Sequence, residues 1–287
     1  MKRIIFLLLI ITSAQSGRAQ LTPSKSQYFV NQFLINPAMA GKDDKTNIFI
    51  NYSGQWNKIE GAPVLMSLSA NSALSEQAAV GLNVFSDKAG LLQRSQVMGS
   101  FAYKVPFDDE HCLKFGLSLT WAREQLNLGD ATSSGSPDIA LSNYNDKRKG
   151  FLDGNFGVAY LNTGLEVQFS YQNLNQKRSK QFSTVDYSVF YSALAYEFNR
   201  EQSFTIKPLL AYRGVKGYKN QWDVASEFSF DKMINLYAMY HSNQSFSGGA
   251  GYILGESLNA SVMYNSEPVK VRGLTGGIID VMLGYSF

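Results

Sequence analysis

The chain has 287 residues, of which 45% are hydrophobic, 13% aromatic and 17% charged. The charged share is below the roughly 25% of an average soluble protein, which argues against disorder and against a soluble helical array. A single cysteine, Cys112, excludes an intramolecular disulfide and a cysteine-based zinc cluster. Two histidines leave little room for a histidine-rich metal site, and no motif calls for a cofactor, so none is predicted.

The first residues of the chain predict an export signal. Lys2 and Arg3 give a positive start, and residues 4–11 form an apolar run that is too short for a comfortable membrane span. Ala19 and the glycine two positions before it are the small residues that a signal peptidase reads. We therefore expect residues 1–19 to be a signal peptide that is removed on export. Without the three basic residues of this leader, 23 Lys and Arg balance 23 Asp and Glu, and no basic patch predicts nucleic-acid binding.

Alternation of side chains is the main signal in the rest of the chain. No later stretch reaches 18 consecutive apolar residues, which excludes a helical membrane protein. Runs such as 113–121 and 165–171 instead alternate apolar with polar or tiny residues. A soluble β-sandwich would alternate too. A barrel in lipid is favoured because the runs reach about 9–11 residues, aromatic residues recur at their ends, and the last strand stops on Phe287.

The prediction is an all-β fold, an antiparallel transmembrane β-barrel of about 14 strands over residues 46–287, with a short N-terminal periplasmic segment. An open sheet is excluded because hydrocarbon offers no partner for the backbone groups of its edges. With the mature amino terminus in the periplasm, long loops face outward and tight turns face the periplasm. Strands are expected near residues 46–55, 63–72, 78–86, 93–105, 112–123, 152–161, 164–173, 184–197, 202–213, 221–230, 233–242, 245–254, 257–265 and 277–287.

The segment before the first strand, residues 20–45, carries several apolar side chains. Phe29, Phe33 and Ile35 could dock against the periplasmic mouth of the barrel. A frayed lead-in is the alternative, but so much apolar surface would be costly in water. Docking is therefore the favoured interpretation.

Polar residues of the predicted lumen leave two interpretations open. Charged residues on the lumen face could line a conduit or binding site, or they could satisfy one another as a salt-bridged interior, which is favoured. This set comprises Lys114, Glu166, Lys207, Asp223, Glu227 and Asp280. A hydrolase using His241 and Ser242 is disfavoured, because adjacent strand residues point to opposite faces. The protein is therefore predicted not to be an enzyme.

Three motifs at the start of the mature chain resemble the PorP/SprF family of type IX secretion system outer-membrane proteins. They are Asn36–Gly41, which reads Asn-Pro-Ala-Met-Ala-Gly; the pair Gln55-Trp56 followed by 59–63; and residues 81–90. Together they cover about residues 27–90. Ser53 departs from the family, in which an arginine is more usual before the Gln-Trp pair.

The resemblance implies a non-enzymatic outer-membrane barrel of Bacteroidota that supports export or surface attachment of large secreted proteins, such as gliding adhesins. It also implies a type IX substrate or adhesin as partner, and a periplasmic peptidoglycan-binding lipoprotein as a further one. Partner contacts are expected at Gln55, Trp56, Gly61, Pro63, Asn36 and Pro37, although the loop around Trp56 could equally serve folding alone. A passive porin or small-molecule transporter is the alternative function.

Overall fold

The computed structural model describes residues 27–55, 61–126, 150–175, 189–215, 219–255, 257–269, 273 and 276–287. A short helix, α1 (Gln27–Val30), and two 3₁₀ turns (Gln32–Leu34 and Pro37–Met39) precede the strands. The fourteen strands are β1 (Asn47–Gln55), β2 (Val64–Ala73), β3 (Ala78–Ala89), β4 (Leu92–Pro106), β5 (Cys112–Leu126), β6 (Phe151–Leu161), β7 (Leu165–Gln172), β8 (Val189–Tyr196), β9 (Phe204–Val215), β10 (Gln221–Phe230), β11 (Ile234–His241), β12 (Ser245–Leu254), β13 (Leu258–Asn265) and β14 (Ile278–Ser286).

The strands form one closed antiparallel barrel in which each strand pairs with its neighbours in sequence. Closure is made by β1 and β14, where Asn47 lies opposite Ser286 and Gln55 opposite Ile278. Thr46 and Phe287 extend this seam with two backbone hydrogen bonds of 2.9 and 3.0 Å. The last residue of the chain therefore helps to close the sheet, and the predicted fourteen-strand barrel is confirmed.

The two faces of the wall have opposite chemistry. Alternate side chains on the outside are large, apolar and open, as with Leu117, Leu119 and Val262, which are 61%, 62% and 53% exposed. The neighbouring positions point into the lumen and are mostly small or polar, as with Ser118 and Ser261, which are buried. This arrangement places apolar side chains against lipid and polar ones in the interior, as in outer-membrane barrels.

Aromatic pairs mark both ends of the apolar band. Trp222 and Tyr240 lie 6.1 Å apart at one end, and Phe204 and Phe230 lie 5.0 Å apart at the other. Rings at these positions are typical of the interface between hydrocarbon and water. Tyr285 pairs with Phe287 at the same end as Phe204, so the carboxyl terminus sits in this girdle.

Loop lengths orient the barrel. The long connections between β5 and β6, β7 and β8, and β13 and β14 share one end, which the usual asymmetry identifies as the outer end. The other end carries short turns, such as Asp231-Lys232, where both residues have positive φ (51° and 56°). That geometry is typical of two-residue hairpins. The first five residues of the predicted eighth strand, 184–188, lie outside the described residues.

Candidate functional site: the occupied lumen

The central feature of the molecule is a segment of its own chain inside the barrel. Residues Gln27–Gly41, called the lumen segment below, lie within the wall and are almost entirely buried. Tyr28, Asn36, Ala38 and Ala40 are each 0% exposed. The sequence predicts docking at the periplasmic mouth, whereas the structure shows docking deep in the lumen. Apolar and ring side chains drive it there because the lumen offers them a core that the mouth lacks.

The direction of the segment follows from the strands that it touches. Gly41 donates its backbone N–H to Asn71, near the periplasmic end of β2. Tyr28 bonds Asp223, the third residue of β10, which starts at the outer end. The lumen segment therefore rises from the periplasmic rim into the outer third of the barrel and occupies the interior along that length.

The carboxyl-terminal end of the segment is held by shape. Asn36 caps the second 3₁₀ turn, accepting a hydrogen bond from the Ala38 N–H, and Pro37 occupies the first position of that turn. The turn rests on Gly116 of β5 and Gly157 of β6, where an added Cβ would collide with the backbone of Ala38 and the Asn36 amide respectively. Glycines at these two points of the wall are therefore required for the turn to fit.

Wall side chains also bond the backbone of the segment directly. Ser170 donates to the carbonyl of Ile35 at 2.8 Å, and Gln172 donates to the same oxygen at 2.7 Å. The Lys114 ammonium donates to the carbonyls of Ala40 and Gly41 at 2.9 and 3.1 Å. These contacts satisfy carbonyls that would otherwise be buried without partners.

A charged hub lies in the periplasmic half of the lumen. The Glu166 carboxylate accepts hydrogen bonds from Gln32 and Lys42 at 2.5 Å each, from Gln168 at 2.5 Å and from Lys207 at 3.1 Å. Two of these donors belong to the barrel wall and two come from the lumen segment or the residue after it. One buried carboxylate thus ties the segment to β7 and β9.

The amino-terminal end of the segment is held by rings and charge. Tyr28 stacks on Tyr191 at 5.6 Å and donates its hydroxyl to Asp223 at 2.5 Å. The Tyr28 side chain is fully buried, and its hydroxyl has this carboxylate as its acceptor. Phe29 stacks on Tyr237 of β11 at 6.0 Å. This end packs against β8, β10 and β11.

Asp223 belongs to a hydrogen-bonded belt that crosses six adjacent strands, β9 to β14. It accepts from Arg213 at 3.1 Å and lies 2.6 Å from Nδ1 of His241, whose Nε2 lies 2.8 Å from the Ser247 hydroxyl. Ser247 donates to Asn265, and Asn265 donates to Asp280, both at 2.6 Å. The belt comprises Arg213, Asp223, His241, Ser247, Asn265 and Asp280.

An Asp-His-Ser order within this belt invites comparison with a hydrolase. His241, Asp223 and Ser247 are 0%, 0% and 2% exposed, and the serine hydroxyl donates to Asn265 instead of standing free for attack. Ser242, the serine considered from the sequence, accepts from the backbone N–H of Trp222 and does not bond His241. Among the described residues, no three His, Cys, Asp or Glu side chains form a metal-sized group. These hydrogen bonds link side chains of neighbouring strands and satisfy buried polar groups inside the barrel.

The predicted lumen charges are found where the sequence placed them. Glu166 and Lys207 form an ion pair, and Asp223 pairs with Arg213 and His241. Lys114 and Asp280 are buried and hydrogen-bonded. The favoured salt-bridged interior is confirmed for Glu166, Lys207 and Asp223, whereas Lys114 donates to backbone carbonyls and Asp280 accepts from Asn265. Glu227 is half-buried and lies opposite Lys207 in the register of β9 and β10. The sequence missed Arg213, whose lumen position follows from the phase of β9.

The predicted partner residues separate into two groups. Asn36 and Pro37 are buried in the lumen, whereas Gln55 ends β1 at the outer mouth. The Gln55 N–H donates to the Pro63 carbonyl at 2.9 Å, and Gly61 has a positive φ of 69°. Trp56 lies outside the described residues. Partner binding at these positions stays a prediction.

A further polar pocket lies near the outer ends of β4–β6, above the carboxyl-terminal end of the segment. Its walls carry Arg94, Gln96, Thr120, Ala122, Glu124, Phe151, Asp153 and Asn173. An ion pair of 3.2 Å joins Arg94, which lines this pocket, to Asp87.

Among the described residues, no helix is long and apolar enough to cross a bilayer.

Comparison with solved structures finds barrels of similar fold. Omp33 of Acinetobacter baumannii has a TM-score of 0.51 and 8% identity over 85% of this chain and 98% of its own. The toluene transporter TodX of Pseudomonas putida has a TM-score of 0.52 and 10% identity, covering 90% of this chain and 93% of its own. CymD, a monoaromatic hydrocarbon channel, scores 0.51 with 13% identity, covering 89% and 90%. At such identities the likeness concerns the fold alone.

Comparison by sequence gives the family. No curated protein matches the chain. The model of the family described as type IX secretion system membrane protein PorP/SprF matches residues 17–285, nearly the whole chain. Together with the closed barrel and its apolar outer face, this match establishes an outer-membrane location. The chain belongs to the PorP/SprF family of type IX secretion system membrane proteins.

Proposed function

We propose that this protein supports the export or cell-surface attachment of large type IX substrates, such as gliding adhesins, as a sealed membrane anchor. The occupied lumen is the observation that carries this proposal. A polypeptide could pass only if Gln27–Gly41 left its seat. Leaving would take the Gln32 donor from Glu166 and both carbonyl acceptors from the buried Lys114 ammonium. Uncompensated buried charge is strongly unfavourable. A tethering role therefore fits the molecule better than a conduit.

The partner in this proposal binds at the outer mouth. The Gln55–Pro63 connection lies there, and a sealed lumen leaves the rim and the outer loops as the surfaces that a secreted protein meets. A periplasmic peptidoglycan-binding lipoprotein would bind the opposite end, at the short turns. Both partners are inferred from family membership together with the closed lumen.

Affinity isolation tests the partner. A tagged barrel, recovered from outer membranes, is expected to carry a secreted adhesin-like protein, and the double variant Gln55→Ala/Trp56→Ala to carry at least about tenfold less. Glu76→Ala, in an exposed periplasmic turn, is the matched control and should recover the wild-type amount. Recovery of neither a secreted nor a periplasmic partner with the wild-type barrel would sink the proposal.

Conductance separates the anchor from the alternative of a passive porin or small-molecule transporter. The purified full-length barrel in planar bilayers is expected to show no steady channel, because the lumen segment fills its interior. A large, steady conductance would favour the porin.

A further inference from the structure

We infer that the barrel lumen is a peptide-binding site, and that the lumen segment Gln27–Gly41 is its intramolecular ligand. The site takes a peptide folded into short helical turns, with an Asn-Pro-Ala turn and ring side chains on its amino-terminal side. It is expected to bind the same fifteen residues when they are no longer joined to the barrel. This inference rests on the seating of the segment and is independent of the secretion role.

The first argument is that the wall recognises peptide backbone. Ser170, Gln172 and Lys114 all donate to carbonyl oxygens of the segment, and Asn71 accepts a backbone N–H. These groups project from β7, β5 and β2, so the donors and the acceptor come from three separate strands of the wall. Contacts of this type are those that peptide-binding sites use for affinity that does not depend on side chains.

The second argument is that the wall also selects a sequence. Gly116 and Gly157 leave room for the Asn36-Pro37-Ala38 turn and for little else, since a Cβ at either position would overlap the turn. Asn36 is read from both sides, because its amide donates to the Val158 carbonyl at 3.2 Å and to Gln168 at 3.1 Å. A side chain without an amide would take this donor from the buried Gln168 side-chain oxygen, which costs free energy.

The third argument is a second socket for a ring. Phe33 lies over Gly81 of β3, where an added Cβ would overlap the ring, and Phe33 itself is 2% exposed. Gly81, Gly116 and Gly157, on three different strands, thus make room for the Phe33 ring, the Ala38 backbone and the Asn36 amide respectively. Such complementarity is what packing at native density requires.

The link between ligand and site is short and exposed. Lys42, Asp43, Asp44 and Lys45 are exposed, and β1 begins at Asn47. A short tether keeps the local concentration of the segment in the millimolar range, so the seat is filled whenever the tether is intact. Cutting the tether turns an intramolecular contact into a true binding equilibrium.

The test cuts the tether in the full-length protein. A recognition sequence for a site-specific protease is inserted between Asp44 and Lys45, and the purified barrel is cleaved in detergent. The freed segment is expected to remain with the barrel through gel filtration and to exchange, over hours, with a fluorescent synthetic peptide of residues 27–41. Rapid loss of the cut segment, with no uptake of the labelled peptide at 100-fold excess, would overturn the inference.

Two variants make the result specific. A labelled peptide carrying Asn36→Leu is expected to bind at least about tenfold more weakly than the native peptide, and a barrel carrying Gly157→Val to take up at least about tenfold less of the native peptide. Gly99→Val, on the lipid-facing side of β4 where an added Cβ meets nothing within 4 Å, is the matched barrel control. Equal uptake of native, Asn36→Leu and scrambled peptides would show adsorption to an apolar surface and refute a site.

Discussion

The two ends of the lumen segment are held in place by different kinds of interaction. The carboxyl-terminal end, Asn36–Gly41, sits on bare glycines and is fixed by steric fit and by hydrogen bonds to its backbone. The amino-terminal end, Gln27–Asn31, is fixed by stacked rings and by a buried carboxylate on β10. The first end should therefore respond to added volume in the wall, and the second to loss of individual polar atoms.

The steric end gives the largest expected effect. Gly116→Val puts a side chain where the backbone of Ala38 lies, so the turn must leave its seat, at a cost of at least about 3 kcal/mol. We expect steady conductance in planar bilayers from the variant and none from the wild type. Gly99→Val should stay closed, because it adds the same volume on the outer face. A closed Gly116→Val barrel would mean that steric fit does not hold this end.

The charged hub lies between the two ends and should show an intermediate effect. Glu166→Gln leaves Lys42 and Lys207 without the carboxylate that compensates them, which should lower the free energy of unfolding by about 3 kcal/mol. Urea unfolding followed by tryptophan fluorescence measures this. Glu201→Gln, in an exposed periplasmic turn, should change it by less than about 0.5 kcal/mol. Equal urea midpoints of unfolding for the two variants would show that the charged hub does not contribute to stability.

The polar end gives the smallest expected effect. Tyr28→Phe keeps the stacked ring and deletes one hydrogen bond, while Asp223 retains Arg213 and His241. A loss of about 1–2 kcal/mol is expected, with the lumen still closed. Tyr240→Phe, on the exposed outer face, is the control and should unfold as the wild type does. An open channel in Tyr28→Phe would show that this end, and not the glycine seat, controls closure.

Most of the wall could be predicted from the sequence, because alternation is a local property. In a run such as Leu113–Trp121, the alternation of apolar with polar or small residues is enough to predict which side faces lipid. The family motif Asn36–Gly41 was likewise visible. Glycines inside strands, among them Gly116 and Gly157, indicated a crowded interior without saying what crowds it.

The place of the lumen segment could not be predicted, because it depends on contacts between residues far apart in sequence. Tyr28 meets Asp223 across 195 positions, and Gln32 meets Glu166 across 134. Apolar side chains at 29, 33 and 35 predict burial somewhere, and both the mouth and the lumen would provide it. Only the closed barrel shows that the glycines and the turn face each other.

Two long strands extend the wall on the outer side. Strands β4 and β5 have 15 residues each. A tilted strand needs about 9–11 residues to cross hydrocarbon, and the outer ends of β4 and β5 present the pairs Gln93–Gln125 and Ser95–Arg123 where lipid-facing residues would otherwise stand. This two-stranded ribbon therefore extends beyond the hydrocarbon on the outer side, where it gives an approaching macromolecule a polar surface to contact first.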